Sequence, residues 1–257
     1  MQRSIFNVAL VALVMATGSA IAEEEASPIS FNVGLVSDYM WRGVTQSENH
    51  MAVQGGVDFE HKSGFSIGTW ASSVDFSKDN TSEDPSVEWD FYAGFGNSAG
   101  DFGYNITLSY YTYKDNREQN ANFTELGVST SWKMLEFGVA YTLTSEAPRI
   151  DASNGEIVNV FREGDLYYYG KISYELPKAI NLSATLGYYD FRDAGSLVRT
   201  ASNGINPDYM HWQISISRDF DRYGEISLNY DQNDGGRDEW VATDDDPKFS
   251  IGWLKKF

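Results

Sequence analysis

The sequence predicts an all-β protein, a transmembrane antiparallel up-and-down β-barrel of about twelve strands. Three observations predict this fold class. Apolar and polar residues alternate along twelve segments, the connections between the segments alternate between short and long, and the last segment runs to the final residue, Phe257. Alternation with period two is typical of strands with one apolar face, and short turns that alternate with long loops are typical of outer-membrane barrels.

The chain begins with the features of a secretory signal peptide. Arg3 supplies a positive start, residues 5–16 are mostly apolar, and residues 20–22 match an A-x-A cleavage site. The alternative is a membrane anchor helix, but the apolar run is shorter than the roughly 20 residues that a span needs. We therefore expect residues 1–22 to be removed and residues 23–257 to form a single outer-membrane β-barrel domain.

The composition excludes several classes of protein. The chain has 257 residues, no cysteine and a formal net charge of −18. Without cysteine, an exported chain has no disulfide framework and no thiol chemistry. The negative charge argues against nucleic acid as a partner, because affinity for nucleic acid comes from Lys and Arg at the phosphates. With 15% aromatic residues, the chain is also too aromatic to be disordered.

The twelve alternating segments place their large apolar residues on one parity. In the fourth segment Trp89 and Phe91 share one parity, whereas Glu88 and Asp90 share the other. Most segments approach the roughly 9–11 residues that a tilted strand needs to cross a bilayer. The segments are 30–43, 52–60, 65–73, 86–96, 102–113, 125–132, 135–144, 165–175, 181–189, 210–217, 225–231 and 249–257.

Short and long connections alternate strictly along the chain. The short connections are 61–64, 97–101, 133–134, 176–180 and 219–224. The long and polar connections are roughly 42–51, 75–85, 113–124, 145–164, 190–208 and 233–248. A soluble β-sandwich also has alternating strands, but it has no reason to sort its connections in this way. We therefore expect short periplasmic turns and long extracellular loops, with both chain ends on the periplasmic side.

The end of the chain is predicted to close the barrel. Phe249, Ile251 and Trp253 share the parity of the terminal Phe257. In hydrocarbon every backbone amide and carbonyl needs an internal partner, so the last strand has to pair with the first. The ending also resembles the terminal aromatic signal by which the barrel-assembly machinery recognises outer-membrane barrels, and this resemblance implies that role for Phe257. Aromatic girdles at the strand ends are expected to include Trp41, Trp89, Trp132, Trp212 and Trp253.

The stretch 31–76 carries motifs that go beyond the fold class. SDYMWRGVTQ at 37–46 is followed by AVQGG at 52–56. A short turn SGF at 63–65 then precedes WASSVDF at 70–76.

Two later segments, EWDFYAGFG at 88–96 and FTELGVS at 123–129, continue this series of motifs. In all of them the chain resembles the bacterial TorF porin family. The likeness covers about 100 residues, from 31 to 130, and departs where YYTY at 110–113 lacks the proline that the family pattern has next. The resemblance implies an outer-membrane barrel with a porin function, and it implies no catalytic or ligand residues.

Charged residues occupy the parity that faces the lumen if the apolar parity faces lipid. Eight are acidic and two are basic, and an acid-lined constriction favours cations. An eight-stranded barrel is filled by side chains and a barrel of 16 or more strands holds a wide channel, so twelve strands predict a narrow lumen. The predicted pore-lining residues are Asp38, Arg42, Asp58, Glu60, Glu88, Asp90, Glu125, Glu136, Lys171 and Glu175.

The predicted function is therefore passive diffusion of small polar or cationic solutes, with no cofactor and no metal site. The expected partners are outer-membrane lipid, lipopolysaccharide and the barrel-assembly machinery. The acidic stretch 233–248 could bridge to lipopolysaccharide through divalent cations, and a solvated loop is the plainer interpretation. Arg42 could form a structural ion pair with Asp38 or Glu88.

Three alternatives remain open at this point. The inward charges could form hydrogen-bonded networks that plug the barrel, or the loops could serve a receptor or adhesion role. A barrel hydrolase would need a Ser–His pair in hydrogen-bond contact. His211 and Ser215 share a face, but four strand residues separate them by roughly 13 Å. The chain contains no G-x-S-x-G motif, and no catalytic residue is predicted.

Overall fold

A computed structural model of the chain describes residues 27–75, 87–114, 122–146, 162–191, 208–234 and 246–257. The predicted signal peptide, residues 1–22, lies outside the described residues, as do large parts of the five long connections that follow residue 75. Among the residues that are described, no helix is long and apolar enough to cross a membrane.

The described chain consists of β-strands and one short 3-10 turn, Asp221–Tyr223. The strands are β1 (Ile29–Val36), β2 (Met40–Trp41), β3 (Val44–Thr45), β4 (Ala52–Glu60), β5 (Phe65–Ser73), β6 (Val87–Ala99), β7 (Phe102–Lys114), β8 (Phe123–Trp132), β9 (Leu135–Ser145), β10 (Leu166–Leu176), β11 (Ile180–Asp190), β12 (Tyr209–Asp219), β13 (Glu225–Asn233) and β14 (Lys248–Lys256).

Twelve of these strands form a closed antiparallel barrel, which confirms the predicted fold class. Sequential strands from β4 to β14 pair as neighbours, and β1 lies between β4 and β14. Leu35 is opposite Val53 on one side and Trp253 on the other. The amide of Phe257 donates to the carbonyl of Phe31, and the amide of Phe31 donates to the carbonyl of Phe257. The first and last strands therefore meet, as closure in hydrocarbon requires.

The outer face of the barrel is apolar and the inner face is small or polar. Phe137 and Leu228 on the outward parity are 57% and 55% exposed, whereas Thr107 and Ser109 on the inward parity are 2% and 1% exposed. This division confirms the parity that the sequence predicted for the strands. Near opposite ends of the barrel, Trp89 and Trp132 are also exposed, at 48% and 55%.

The first predicted strand is wrong in its second half. The sequence predicted one strand over 30–43, but β1 ends at Val36. At the next residue, the amide of Ser37 still donates to the carbonyl of Ile251, but the amide of Ile251 donates to the side-chain hydroxyl of Ser37. Beyond this point the chain turns into the barrel, where β2 and β3 form a separate hairpin. Tyr39 and Trp41 are therefore only 3% and 7% exposed, and Trp41 does not belong to an outer aromatic girdle.

Candidate functional site

A hairpin formed by residues 38–47, here called the inner hairpin, projects into the lumen. Its strands β2 and β3 are joined by Arg42 and Gly43, whose φ angles are 50° and 81°. Two central residues with positive φ are the pattern of a two-residue type I′ hairpin turn. Glycine tolerates this conformation and arginine rarely adopts it, so the contacts around Arg42 have to hold it in place.

Gly43 is required by space as well as by its φ angle. A Cβ atom at this position would overlap the side chain of His211 on β12. The carbonyl of Gly43 accepts a hydrogen bond of 2.8 Å from the side-chain amide of Asn233 on β13. The tip of the inner hairpin is therefore packed directly against the barrel wall.

The base of the inner hairpin is fastened by side-chain hydrogen bonds. One carboxyl oxygen of Asp38 accepts from the hydroxyl of Thr45 at 2.6 Å and from the hydroxyl of Ser47 at 3.1 Å. The same Ser47 oxygen accepts from the amide of Tyr39 at 2.9 Å. Asp38, which is 6% exposed, thus holds the two sides of the hairpin together.

Tyr39 joins the inner hairpin to β6. Its hydroxyl donates to Glu88 at 3.0 Å, and both residues are buried. Burial raises the pKa of Tyr39 well above its ordinary value, and the nearby carboxylates Glu88 and Asp90 raise it further. The phenol therefore stays neutral and acts as a hydrogen-bond donor.

Arg42 forms an ion pair with Glu125 of β8 at the tip of the inner hairpin. Its two terminal nitrogens donate to the two carboxyl oxygens at 2.9 and 2.7 Å, a bidentate geometry. The guanidinium carbon also lies 4.2 Å from the ring centres of both Trp41 and Tyr167. Cation–π contacts of this kind gain strength when they are shielded from water.

The charge on Arg42 is fixed. Burial is the largest single influence and opposes the charged guanidinium, but the charge and hydrogen bonds of Glu125, together with the nearby Tyr189 and Tyr111, outweigh it. The pKa of Arg42 is therefore raised well above its ordinary value. The side chains of Arg42 and Glu125 are 11% and 3% exposed. A buried pair of this kind is costly to break, because the remaining charge would have no partner.

Aromatic rings surround this ion pair on the loop side of the lumen. Trp41 lies 6.1 Å from Tyr111 and 6.4 Å from Tyr189, measured between ring centres. Tyr167 contacts Tyr189 at 5.7 Å, and its hydroxyl lies 2.9 Å from Nε2 of His211. We call this set the aromatic collar, and it consists of Trp41, Tyr111, Phe123, Tyr167, Tyr189 and Tyr209.

Two cavities lie in the lumen beside the inner hairpin. The larger, of about 150 Å³, is lined by Arg42, Glu125 and wall residues of β7 to β13. The smaller, of about 90 Å³, is lined by Asp38, Tyr39 and wall residues that include Ser250. The two cavities share Met40, Lys171, Gln213 and Asp231.

Five of the ten predicted pore-lining residues border these cavities. They are Asp38, Arg42, Glu125, Glu136 and Lys171. Arg42 pairs with Glu125, and not with Asp38 or Glu88, the partners considered from the sequence.

The other five predicted residues lie elsewhere on the inward parity. Glu88 and Asp90 are buried on β6, at 2% and 0% exposure. Asp58 on β4 accepts a hydrogen bond from Tyr92. Glu60 and Glu175 are exposed at the turn-side ends of β4 and β10.

Sequence reasoning missed several lumenal residues. Gln213 and Asp231 border both cavities, and their inward parity on the tenth and eleventh segments was the available signal. The aromatic collar was missed because the inward tyrosines look the same in sequence as girdle tyrosines. Only contacts between distant strands show that Tyr167, Tyr189 and Trp41 pack together.

The Ser–His pair weighed for a hydrolase is not formed. The hydroxyl of Ser215 donates to Asn229 at 2.6 Å, and His211 contacts the hydroxyl of Tyr167. Within the described parts of the chain, no group of three or more His, Asp or Glu side chains is placed to hold a metal ion.

A family model described as "Bacterial protein of unknown function (Gcw_chp)" matches residues 22–249. The chain belongs to this family. Comparison with curated protein sequences gives no significant match.

Solved porins share the fold of this Gcw_chp chain. The KdgM porin is 10% identical, with a TM-score of 0.52 over 89% of this chain and 99% of KdgM. The NanC porin is 11% identical, with a TM-score of 0.52 over 88% of this chain and 97% of NanC. A structure of the KdgM porin in complex with disordered oligogalacturonate matches at 9% identity, with a TM-score of 0.52 over 89% of this chain and 98% of that porin. At these identities the likeness establishes the fold.

Proposed function

We propose that the protein is an outer-membrane porin that passes small solutes by passive diffusion through a lumen narrowed by the inner hairpin. The observation that carries this proposal is a lumen that is polar and contains cavities, inside a closed barrel with an apolar exterior. A packed interior would contain neither, and a soluble barrel would not expose a continuous apolar band. No catalytic residue and no cofactor belong to this function.

The location and the partners follow from the same reasoning. We place the barrel in the outer membrane after cleavage of residues 1–22 and assembly by the barrel-assembly machinery, with lipid and lipopolysaccharide as its surroundings. We also propose that the protein is related to the TorF porins, because its motifs in residues 31–130 resemble theirs.

We further propose that the pore prefers cations. The two cavities are bordered by four carboxylates, of Asp38, Glu125, Glu136 and Asp231, and by two cationic groups, of Arg42 and Lys171. Because Arg42 is neutralised by Glu125, three carboxylates remain against Lys171. Charged rings of this sign favour cations in a narrow pore.

A plugged barrel with a structural or receptor role is the second candidate. The inner hairpin and the aromatic collar fill the loop-side part of the lumen, which is the observation that favours it. The two candidates differ in one property, the passage of ions.

Conductance in planar lipid bilayers tests the proposal. The purified barrel is expected to give steady single-channel currents, and a KCl gradient is expected to give a reversal potential on the cation-selective side. Glu136→Gln should reduce this potential, because it removes a cavity carboxylate, whereas Asp101→Asn in an exposed turn should not. Silent bilayers would favour the plugged barrel, and an unchanged reversal potential in Glu136→Gln would remove that residue from the selectivity lining.

A further inference from the structure

Four residues form a row across the inner wall beside the two cavities. Lys171, Thr185, Gln213 and Asp231 are opposite one another on the consecutive strands β10, β11, β12 and β13. Strands in a sheet are about 4.8 Å apart, so Lys171 and Asp231 are separated by about 14 Å along the wall. Lys171, Gln213 and Asp231 each border both cavities.

Lys171 presents an ammonium group that makes no hydrogen bond and no ion pair with the described residues. Its cross-strand neighbour is Glu136, which would be the natural partner. Glu136 instead accepts a hydrogen bond of 2.6 Å from the hydroxyl of Tyr169. The flexible four-carbon stem of a lysine lets its ammonium group reach away from the wall toward a ligand.

Asp231 presents the complementary group. It is 1% exposed, one of its carboxyl oxygens accepts a hydrogen bond of 2.8 Å from Gln213, and the other has no hydrogen-bond partner among the described residues. Gln213 therefore fixes the orientation of the carboxylate, and the second carboxyl oxygen is buried without a hydrogen-bond partner among the described residues. A buried charge without a partner is costly, so Asp231 favours a ligand that supplies a positive charge. Lys171 is half-buried, and its ammonium group is free to pair with a negatively charged group of the same ligand.

A ligand with a single charge would pair with only one of these two groups and would leave the other without a partner. A small cation would pair with Asp231 and leave Lys171 unpaired, and a small anion would do the reverse. A zwitterion supplies a carboxylate and an ammonium group together. The larger cavity, at about 150 Å³, is comparable in volume with an engineered protein cavity of about 150 Å³ that binds benzene, which suits a solute of a few heavy atoms.

We propose that this row is a binding site for small zwitterions of the free α-amino acid type, with the solute carboxylate on Lys171 and the solute ammonium group on Asp231. The site rests on the proposed porin function, since it names the class of solute that the lumen accepts. Tyr167 and Tyr169 also border the larger cavity, whose volume of about 150 Å³ suits a solute with a small side chain.

Equilibrium binding to the full barrel in detergent micelles tests this site without relying on transport. Titration calorimetry with alanine, propionate and ethylamine compares a zwitterion with an anion and a cation of similar size. We expect alanine to bind about tenfold more tightly than either of the others, or better, because each of them lacks one hydrogen bond between charged groups. Equal or tighter binding of propionate or ethylamine would overturn the proposal, as would the absence of alanine binding.

Two variants and two controls locate the site. Lys171→Met and Asp231→Asn should each weaken alanine binding by about tenfold or more. The controls remove the same charges at other places in the barrel. They are Lys255→Met, on the outer side of β14, and Glu175→Gln, at the turn-side end of β10, and both should leave the affinity for alanine unchanged. An equal loss of alanine affinity in a control and its matched variant would contradict the assignment of the site to Lys171 and Asp231. If a variant fails to fold, the comparison of alanine, propionate and ethylamine on the unmodified barrel still tests whether the site prefers a zwitterion.

The outcome for this site is separable from the outcome for the porin function. Steady ionic conductance without alanine binding would overturn the zwitterion site and leave the porin. Alanine binding to a barrel that is silent in bilayers would overturn the open pore and leave the site.

Discussion

Arg42 is the residue on which the geometry of the lumen depends. It occupies a left-handed conformation at the tip of a turn, pairs with Glu125 in bidentate geometry and lies against two aromatic rings. The alternation of the first segment predicted that Arg42 faces inward. It could not predict Glu125 as the partner, because the two residues are 83 positions apart and meet only after the barrel has closed.

The ion pair predicts a non-additive mutant cycle. Arg42→Met and Glu125→Gln should each destabilise the barrel by about 3–5 kcal/mol, because each leaves a buried polar partner uncompensated. The double variant should cost less than the sum of the two. Urea unfolding in lipid vesicles, monitored by tryptophan fluorescence, measures these differences. Lys133→Met is the control, because the ammonium group of Lys133 lies over Trp132 in an exposed turn. Strictly additive effects would show that the pair is not coupled.

Gly43 gives a second prediction at this scale. Gly43→Ala should displace the inner hairpin, because the new Cβ overlaps His211 and the residue has a φ of 81°. Gly100→Ala is the matched control, since Gly100 also has positive φ, at 63°, but has no atom within 4 Å of the added Cβ. Fluorescence quenching of the buried Trp41 by added iodide should rise in Gly43→Ala only. An equal rise in both variants would mean that backbone strain, and not the contact with His211, is responsible.

The first strand is the element for which the sequence was most misleading. Alternation continues through Tyr39 and Trp41, and period two does not distinguish a strand that continues along the wall from one that turns inward. Gly43 was only a weak hairpin signal, because Arg-Gly at 42–43 is not one of the Asn-Gly or Asp-Gly pairs that are typical of two-residue hairpin turns. The decisive interactions, from Ser37 to Ile251, join the two ends of the chain and leave no local pattern.

The base of the inner hairpin predicts a change in its local stability. Asp38→Ala removes the acceptor of two hydrogen bonds, from Thr45 and Ser47, so amide exchange in residues 38–47 should accelerate. Exchange in β4 and β5 should stay as slow as before, since their pairing does not involve Asp38. Mass spectrometry of the exchanged protein in detergent measures both regions. Unchanged exchange in the hairpin would show that other contacts are sufficient to hold it.

The architecture of the whole barrel was predictable because the bilayer imposes a strong and simple constraint. Every backbone group needs an internal partner, so alternating strands with sorted connections lead to a closed ring. The contents of the lumen were not predictable in the same way. Which inward charges meet depends on pairs such as Arg42 with Glu125 and on residues such as Asp231, and neither period nor parity specifies those contacts.

Phe257 predicts an effect on assembly. Its deletion removes two backbone hydrogen bonds to Phe31 at the closing seam and the terminal aromatic side chain, so the amount of folded barrel in the outer membrane should fall. Phe249→Ala is the control, because Phe249 is an equally exposed aromatic residue, at 76%, near the other end of β14. Quantification of the heat-modifiable barrel in membrane fractions gives the result. An equal loss in the control would assign the effect to general apolar contact with lipid.

Single-channel conductance with and without the inner hairpin is the most direct test of the central claim, that a closed barrel forms a pore narrowed by residues 38–47. The comparison uses the unmodified barrel and a variant in which these ten residues are replaced by a short Gly-Ser linker, after both are shown to be folded by heat modifiability. The account predicts a small steady conductance in the unmodified barrel and a several-fold larger one in the variant. Equal conductance in the two, or silence in both, would contradict it.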